Sequence, residues 1–154
     1  MVKEQFYRRN VSLITFSDRM FLLVNLKNWP PDYWKFPQGG VNRGETLEKT
    51  VYREFQEELG TDKIEIVSKS KIKRVYRWKS PIAINGSNFV GQKQTFFLVK
   101  FVGNDTDIHI NSDEVRAFRW ATAEDLEALI KKDYLDFLDY WKTVQAIIAE
   151  AAGL

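Results

Sequence analysis

Three glutamates, Glu54, Glu57 and Glu58, fall three and four residues apart in the stretch GGVNRGETLEKTVYREFQEELGT, residues 39–61. On a helix turning about 100° per residue, Glu58 lies about 40° to one side of Glu54 and Glu57 about 60° to the other. The three carboxylates therefore share one face. Like charges at these spacings cost a helix about a few tenths of a kcal/mol per pair, which a solvated acidic face tolerates. Such a face would account for the glutamates if they stood alone. Gly39 and Gly40, however, make a turn tight enough to bring backbone carbonyls close to a cation. Arg53 stands inside the cluster, where it can hold one carboxylate in a fixed rotamer. Carboxylate and backbone oxygens together suit hard cations, magnesium or manganese, rather than zinc.

The elements that must position these groups alternate. Thr46 as N-cap and Gly60 as stop bound a helix from Thr46 to Leu59. Its stripe of Leu47, Val51, Phe55 and Leu59 can dock on a sheet and leave the acids at the edge of a cleft. Before it, VSLITF (11–16) and MFLLVN (20–25) read as a strand hairpin through SDR, and the proline-rich NWPPDYWKFPQGG (28–40) reads as loop. After it, strands are predicted at 63–68, 71–78, 94–102, 107–110 and 116–121. Two helices close the chain: 122–132, with a threonine cap and Asp125 in a capping-box variant, and the amphipathic 134–152. Strands between helices predict an α/β sandwich.

With 154 residues and no repeat or linker, the chain reads as one domain. Apolar residues at 44% and charged residues at 29% make it globular rather than disordered. The net charge of +2 does not announce a nucleic-acid binder, and the lack of cysteine rules out disulfides and thiolate metal sites. Neither a signal peptide nor a membrane-length apolar run is visible, so a soluble cytoplasmic protein without membrane or DNA partners is expected.

The acidic segment also resembles a known signature. Gly39, five residues, Glu45, seven residues, Arg53-Glu54-Phe55, one residue, Glu57-Glu58, one residue and Gly60 together are similar to the Nudix box. Thr61 departs from it, standing where an aliphatic residue is usual, and a small packing change is expected there. The resemblance implies an α/β/α Nudix sandwich with a mixed sheet, spanning residues 1–154. It further implies hydrolysis of a nucleoside diphosphate linked to another group. By the same resemblance Glu54, Glu57 and Glu58 bind two or three divalent ions, with Gly39 beside them, and Arg53 orients the cluster.

Four other stretches resemble one branch of that family, the RNA pyrophosphohydrolases and related dinucleoside polyphosphate hydrolases. They are YRRNVSLI (7–14, with Arg9 in place of proline), WKFPQGG (34–40), GQKQTFFLVKF (91–101) and EVRAFRW (114–120). The last carries Glu114, a fourth acid implied to reach the metals. Glu57 is the first choice of general base and Glu114 the second. Arg8 matches an arginine that can pair with phosphate oxygens. Gln92 and Gln94 lie on one face of a strand, able to hold phosphate or sugar or merely to decorate an edge, and Lys93 points to the other. The stretch KSKIKRVYRWKS (69–80) interleaves basic residues with Tyr76 and Trp78, a composition that suits phosphates with stacked bases or simply a solvated strand. Which of these two aromatics contacts a base is open. Phe137 is a further candidate platform, or core; Trp34 is a candidate for lining the cleft; His109, the single histidine, reads as exposed.

The implied substrate is the 5′-triphosphate end of RNA or a dinucleoside polyphosphate. A house-cleaning pyrophosphatase of small nucleotides is one alternative, though it leaves GQKQ and the basic strand without a use. A non-catalytic nucleotide- or RNA-sensing module is another, and the loss of a box glutamate would favour it; none is lost.

Overall fold

A computed structural model describes residues 7–130 and 137–152, with the side chains of 137–139 and 152 outside that description. The strands are β1 (Tyr7–Ser17), β2 (Met20–Leu26), β3 (Gln38–Gly40), β4 (Ile64–Ile84), β5 (Ser87–Phe101) and β6 (Val115–Thr122). The helices are α1 (Leu47–Leu59), α2 (Ala123–Ile130) and α3 (Phe137–Ala152). The sheet runs β4-β5-β1-β2-β6, with β3 paired to β1. It is mixed, because β1 and β5 are parallel while their other neighbours are antiparallel.

The central strands are apolar on both faces, so each face needs a cover. Along β5, Phe97, Val99 and Phe101 turn to one side and join Val51, Phe55 and Leu59 of α1. Phe96 and Leu98 turn to the other and meet Leu126 and Ile130 of α2 and Tyr140, Val144 and Ile147 of α3. Each fully buried Leu, Val or Phe contributes about 1.5–3 kcal/mol. The result is the expected α/β/α sandwich. No helix among the described residues is long and apolar enough to cross a membrane.

The expected hairpin forms, with Ser17 facing Met20 across Asp18 and Arg19. β1 and β2 stay paired only there; the other end of β1 takes β3 as its partner, at Asn10↔Gly40, Val11↔Gly39 and Ser12↔Gln38. So the expected loop 28–40 ends in a short strand that wedges the two glycines into the sheet beside α1.

Two other expectations change. The strands expected at 63–68 and 71–78 are one strand, β4, made continuous by register shifts at 66/68, 69/73 and 77/82. With β5 it forms a long hairpin whose turn, Asn85 (φ 51) and Gly86 (φ 83), has the positive angles of a tight two-residue connection. Residues 107–110 are not a strand. Asp105–Asp107 is a 3-10 turn, and the chain beyond it caps α1 instead of joining the sheet: the His109 and Asn111 N–H groups donate to the Leu59 and Glu58 carbonyls at 2.8 and 3.2 Å. Helix C-terminal carbonyls lack internal partners, and this segment supplies them. Of the two closing helices, the parts expected at 131–132 and 134–136 lie outside the described residues. Thr122 keeps its predicted capping role, accepting the Asp125 N–H at 3.3 Å.

Candidate active site

α1 carries the acids, and both its ends are pinned. Thr46 accepts the Lys49 N–H at 3.1 Å, and Gly60 takes the left-handed conformation that ends the helix, φ 71. A side chain at Gly60 would also meet the His109 carbonyl, so the capping segment lies directly on it. Thr61, buried in place of the usual aliphatic residue, satisfies its hydroxyl on the Lys63 N–H at 3.2 Å.

Arg53 does more than hold one carboxylate. Its Nε and Nη2 grip both oxygens of Glu45 at 2.7 and 2.8 Å. Nη2 also donates to the Gly40 carbonyl at 2.7 Å, and Nη1 reaches Glu54 at 2.8 Å and Glu57 at 3.2 Å. All five guanidinium hydrogens thus have acceptors, a use of the planar fork that lysine cannot copy. The Arg53 hydrogen bonds hold the Glu45 carboxyl down at about 2. Glu45 in turn accepts the Asn42 N–H and the Thr50 hydroxyl, tying the 41–46 turn to the helix.

Glu54 lies directly on Gly39: a Cβ built there would sit 1.9 Å from the Glu54 carboxyl carbon. Burial pushes the Glu54 carboxyl up to about 7; Arg53 opposes this, while Glu57 and Glu114 add to it. Glu58 is 3% exposed, and burial, then the Glu54 charge, push it well above the carboxylate range. Its Oε1 accepts the Gln38 N–H at 3.2 Å, while its buried Oε2 has no partner. Leu26, Trp29, Gln38, Glu54, Glu58 and Glu114 line one cleft of about 270 Å³. Glu114 enters from the loop before β6, where its backbone bonds Asn111 and Lys27. Glu57, on the same face of α1, is half exposed and is not among the residues that line this cleft.

Mutually repelling, partly buried carboxylates and an orphaned buried oxygen leave negative charge that Arg53 does not cancel, and the all-oxygen donors fit magnesium or manganese. Among the described residues no three such side chains converge as a ready-made shell. Arg53 holds oxygens of Glu54 and Glu57, and Glu114 is exposed, so these donors must turn inward to share an ion.

On the opposite face of the sheet, register brings two rows of polar groups together: Tyr76–Gln92–Arg8 and Arg74–Gln94–Asn10, each spanning β4, β5 and β1. Gln92 donates to the Tyr76 hydroxyl at 2.5 Å. Gln94 is fully buried and donates to Asn10 at 2.7 Å and Gln38 at 2.9 Å. It lies behind the surface rather than decorating an edge. The Arg8 guanidinium covers Gly40, where any side chain would strike it. Lys93 sits between Val75 and Arg9, in register on the other face. Trp78 is half-buried, and the Phe137 side chain lies outside the described residues. Trp34 packs against the α3-side core, with the Arg119 guanidinium over its ring; Trp29 is the tryptophan lining the acid cleft. His109 is exposed, as expected.

Gln38, Asn10 and Arg74 are the groups that sequence reasoning missed. Gln38 joins the two parts of the site, its N–H on Glu58 and its side chain on Gln94. Arg74 is 5% exposed, with Tyr76 at 4.3 Å and Tyr140 at 5.7 Å from its guanidinium carbon. It stands in the basic strand with nothing in the local spacing to separate it from its exposed neighbours.

A NUDIX domain model matches residues 6–141. Among curated proteins, the chain is similar to an RNA pyrophosphohydrolase of Wolbachia pipientis subsp. Culex pipiens, 39% identical over 132 residues, covering 82% of this chain and 81% of that protein. Among solved structures it is similar to the C. elegans Ap4A hydrolase in a binary complex, with TM-score 0.65 and 19% identity over 94% of this chain and 99% of that one. The E. coli dihydroneopterin triphosphate pyrophosphohydrolase follows at TM-score 0.63 and 19% identity, over 92% and 94%. At these identities the structural likeness is one of fold.

Proposed function

This chain belongs to the NUDIX family, and from that membership we propose that it hydrolyses phosphoric anhydride bonds, removing pyrophosphate from the 5′-triphosphate end of RNA. One observation carries the reading: Gln38 couples the Glu54–Glu58–Glu114 cleft to the Arg74–Gln94–Asn10 row, which lies beside the row of Arg8 and Gln92. A charged, phosphate-bearing substrate needs both parts at once. The curated relative named RNA pyrophosphohydrolase supports the RNA end as substrate.

Glu54, Glu57, Glu58 and Glu114, with Gly39 beside them, would hold two or three magnesium or manganese ions. The chemistry such ions supply is neutralisation of the phosphate charge and a lowered pKa for water. The chain's own groups do the rest. Glu57, half exposed on the acid face of α1, takes a proton from the attacking water, with Glu114 second in line for that role. Arg53 fixes Glu45 and the Gly40 carbonyl and keeps Glu54 and Glu57 side by side. Arg8 pairs with phosphate oxygens, Gln92 and Tyr76 hold the adjoining nucleotide, and Gln94 keeps Gln38 in place. A dinucleoside polyphosphate presents the same linked phosphates and is the second substrate for this machinery.

Product analysis tests the reading. Triphosphorylated RNA and diadenosine tetraphosphate are each incubated with magnesium, and the products identified. Pyrophosphate and monophosphorylated RNA are expected, with loss of turnover in a chelator and its return with magnesium or manganese. Full turnover without metal, or inert RNA beside rapid cleavage of the dinucleotide, would overturn the metal role or the RNA role respectively.

A further inference from the structure

A second cleft, of about 440 Å³, opens on the far side of the Gly39–Gly40 wedge from the acids. Tyr7, Arg8, Arg9, Arg43, Asn85 and Phe89 are among its lining residues, and no acidic residue lines it. Among the described residues, the side chains of Arg8, Arg9 and Arg43 make no hydrogen bond or ion pair. Three unpaired guanidinium groups around one concavity, in a chain of net charge only +2, concentrate positive charge where the fold does not use it.

The walls are fixed. The Val41 N–H donates to the Arg9 carbonyl at 3.0 Å, setting the turn that carries Arg43 beside β1. That turn is held in place by Glu45 through the Asn42 N–H and Arg53. The opposite wall is the β4–β5 hairpin tip, where the Asn85–Gly86 turn and the Ile82↔Phe89 pair present an aromatic ring to the cleft. Lys93, in register with Arg9, adds a cation nearby. Arg8 lines this cleft and covers Gly40, next to the glycine on which Glu54 lies.

We propose that this cleft is a tract for the RNA strand leaving the active site, with Arg9 and Arg43 on backbone phosphates and Tyr7 and Phe89 as stacking surfaces for the bases. Cations that track phosphates and aromatic rings that stack bases of any identity are what a single strand needs from a protein. A dinucleotide is too short to use the tract once its phosphates lie on Arg8. This proposal rests on the RNA-end reading of the active site.

The test compares wild type with an Arg9→Gln, Arg43→Gln double variant and with Phe89→Ala. The substrates are a 5′-triphosphorylated dinucleotide and a 5′-triphosphorylated strand of about 12 nucleotides, a length within the span that one such surface covers. In wild type the long strand should have the lower KM. The double variant should lose about tenfold in kcat/KM on the long strand and at most about twofold on the dinucleotide, and two phosphate contacts given up should flatten the logarithmic salt dependence by about 1.4. Phe89→Ala should lose about fivefold or more on the long strand alone. Equal losses on both lengths, or none, overturn the tract. If wild type hydrolyses neither strand, the active-site reading fails, and the tract is judged by fluorescence anisotropy of a 5′-hydroxyl strand of the same length without metal. Binding that the double variant loses supports it; absent or unchanged binding overturns it.

Discussion

Glu54 allows a test that needs no substrate. In the metal-free fold its carboxyl stands at about 7 against an ordinary 4.5, chiefly through burial. The folded chain therefore binds this proton more tightly than the unfolded chain. Stability contributed by the protonated group is complete below about 4.5, falls as pH rises, and is lost above about 7. At about 1.36 kcal/mol per pH unit the difference comes to about 3.4 kcal/mol. The side chain keeps 12% exposure beside the Arg53 charge, and screening reduces this to about 2 kcal/mol. In a chain of this size that is about 4–8 °C in Tm. Thermal unfolding followed by circular dichroism, without metal, between about pH 5 and 7.5 should show wild type losing about two thirds of that relative to Glu54→Gln. The window suits the purpose, because Glu45 and Asp107, both held low, are ionised throughout it. Magnesium should raise Tm more at the alkaline end than at the acid end, since cation and proton compete for the same oxygens. Parallel curves for wild type and variant across the window would refute the assignment of Glu54 as an acid raised by burial.

Three further outcomes follow from the geometry. Glu57→Gln keeps size and removes basicity, so turnover should fall about 10²-fold or more, while Tm should hold, because the half-exposed Arg53 pair that is lost and the like-charge repulsion that is relieved are each worth only about a few tenths of a kcal/mol; intact turnover with a collapsed Tm would make the cluster structural. Gly39→Ala should displace the Glu54 carboxyl from its seat, costing about 1–3 kcal/mol in denaturant unfolding and most of the activity, whereas unchanged activity would show that this close approach is idle. Arg8→Ala should cost about 1.5–3 kcal/mol in kcat/KM, roughly ten- to a hundredfold, on triphosphorylated RNA and dinucleoside polyphosphate alike, and steady-state kinetics confined to a loss on one of them would break the shared-phosphate argument.

The acid face of α1 was legible because a helix converts spacing into direction. Val51, Phe55 and Leu59 had to go inward, and that alone put Glu54 and Glu58 at the margin of the core and Glu57 at its rim. Thr46 and Gly60 marked the ends of the helix for local reasons, and both act as expected. Residues 107–110 misled for the opposite reason. Alternating Ile108, His109 and Ile110 has the period of a strand, but a strand needs a neighbour with free backbone groups, and the nearest free groups belonged to the end of α1. The Asn85–Gly86 turn was written in the sequence as a hairpin signal, and overlooking it concealed the length of β4 and β5. With those strands shortened, the tip that carries Phe89 to Arg9 and Arg43 could not be seen. Gln38 was harder still. Its part in the site depends on β1 parting from β2, so that a three-residue strand can set one backbone N–H on Glu58 and one amide oxygen on Gln94. That separation is a property of the whole sheet. Groups that act through a single element can be read from their spacing, whereas groups that join two elements become visible only once the register of the sheet is known.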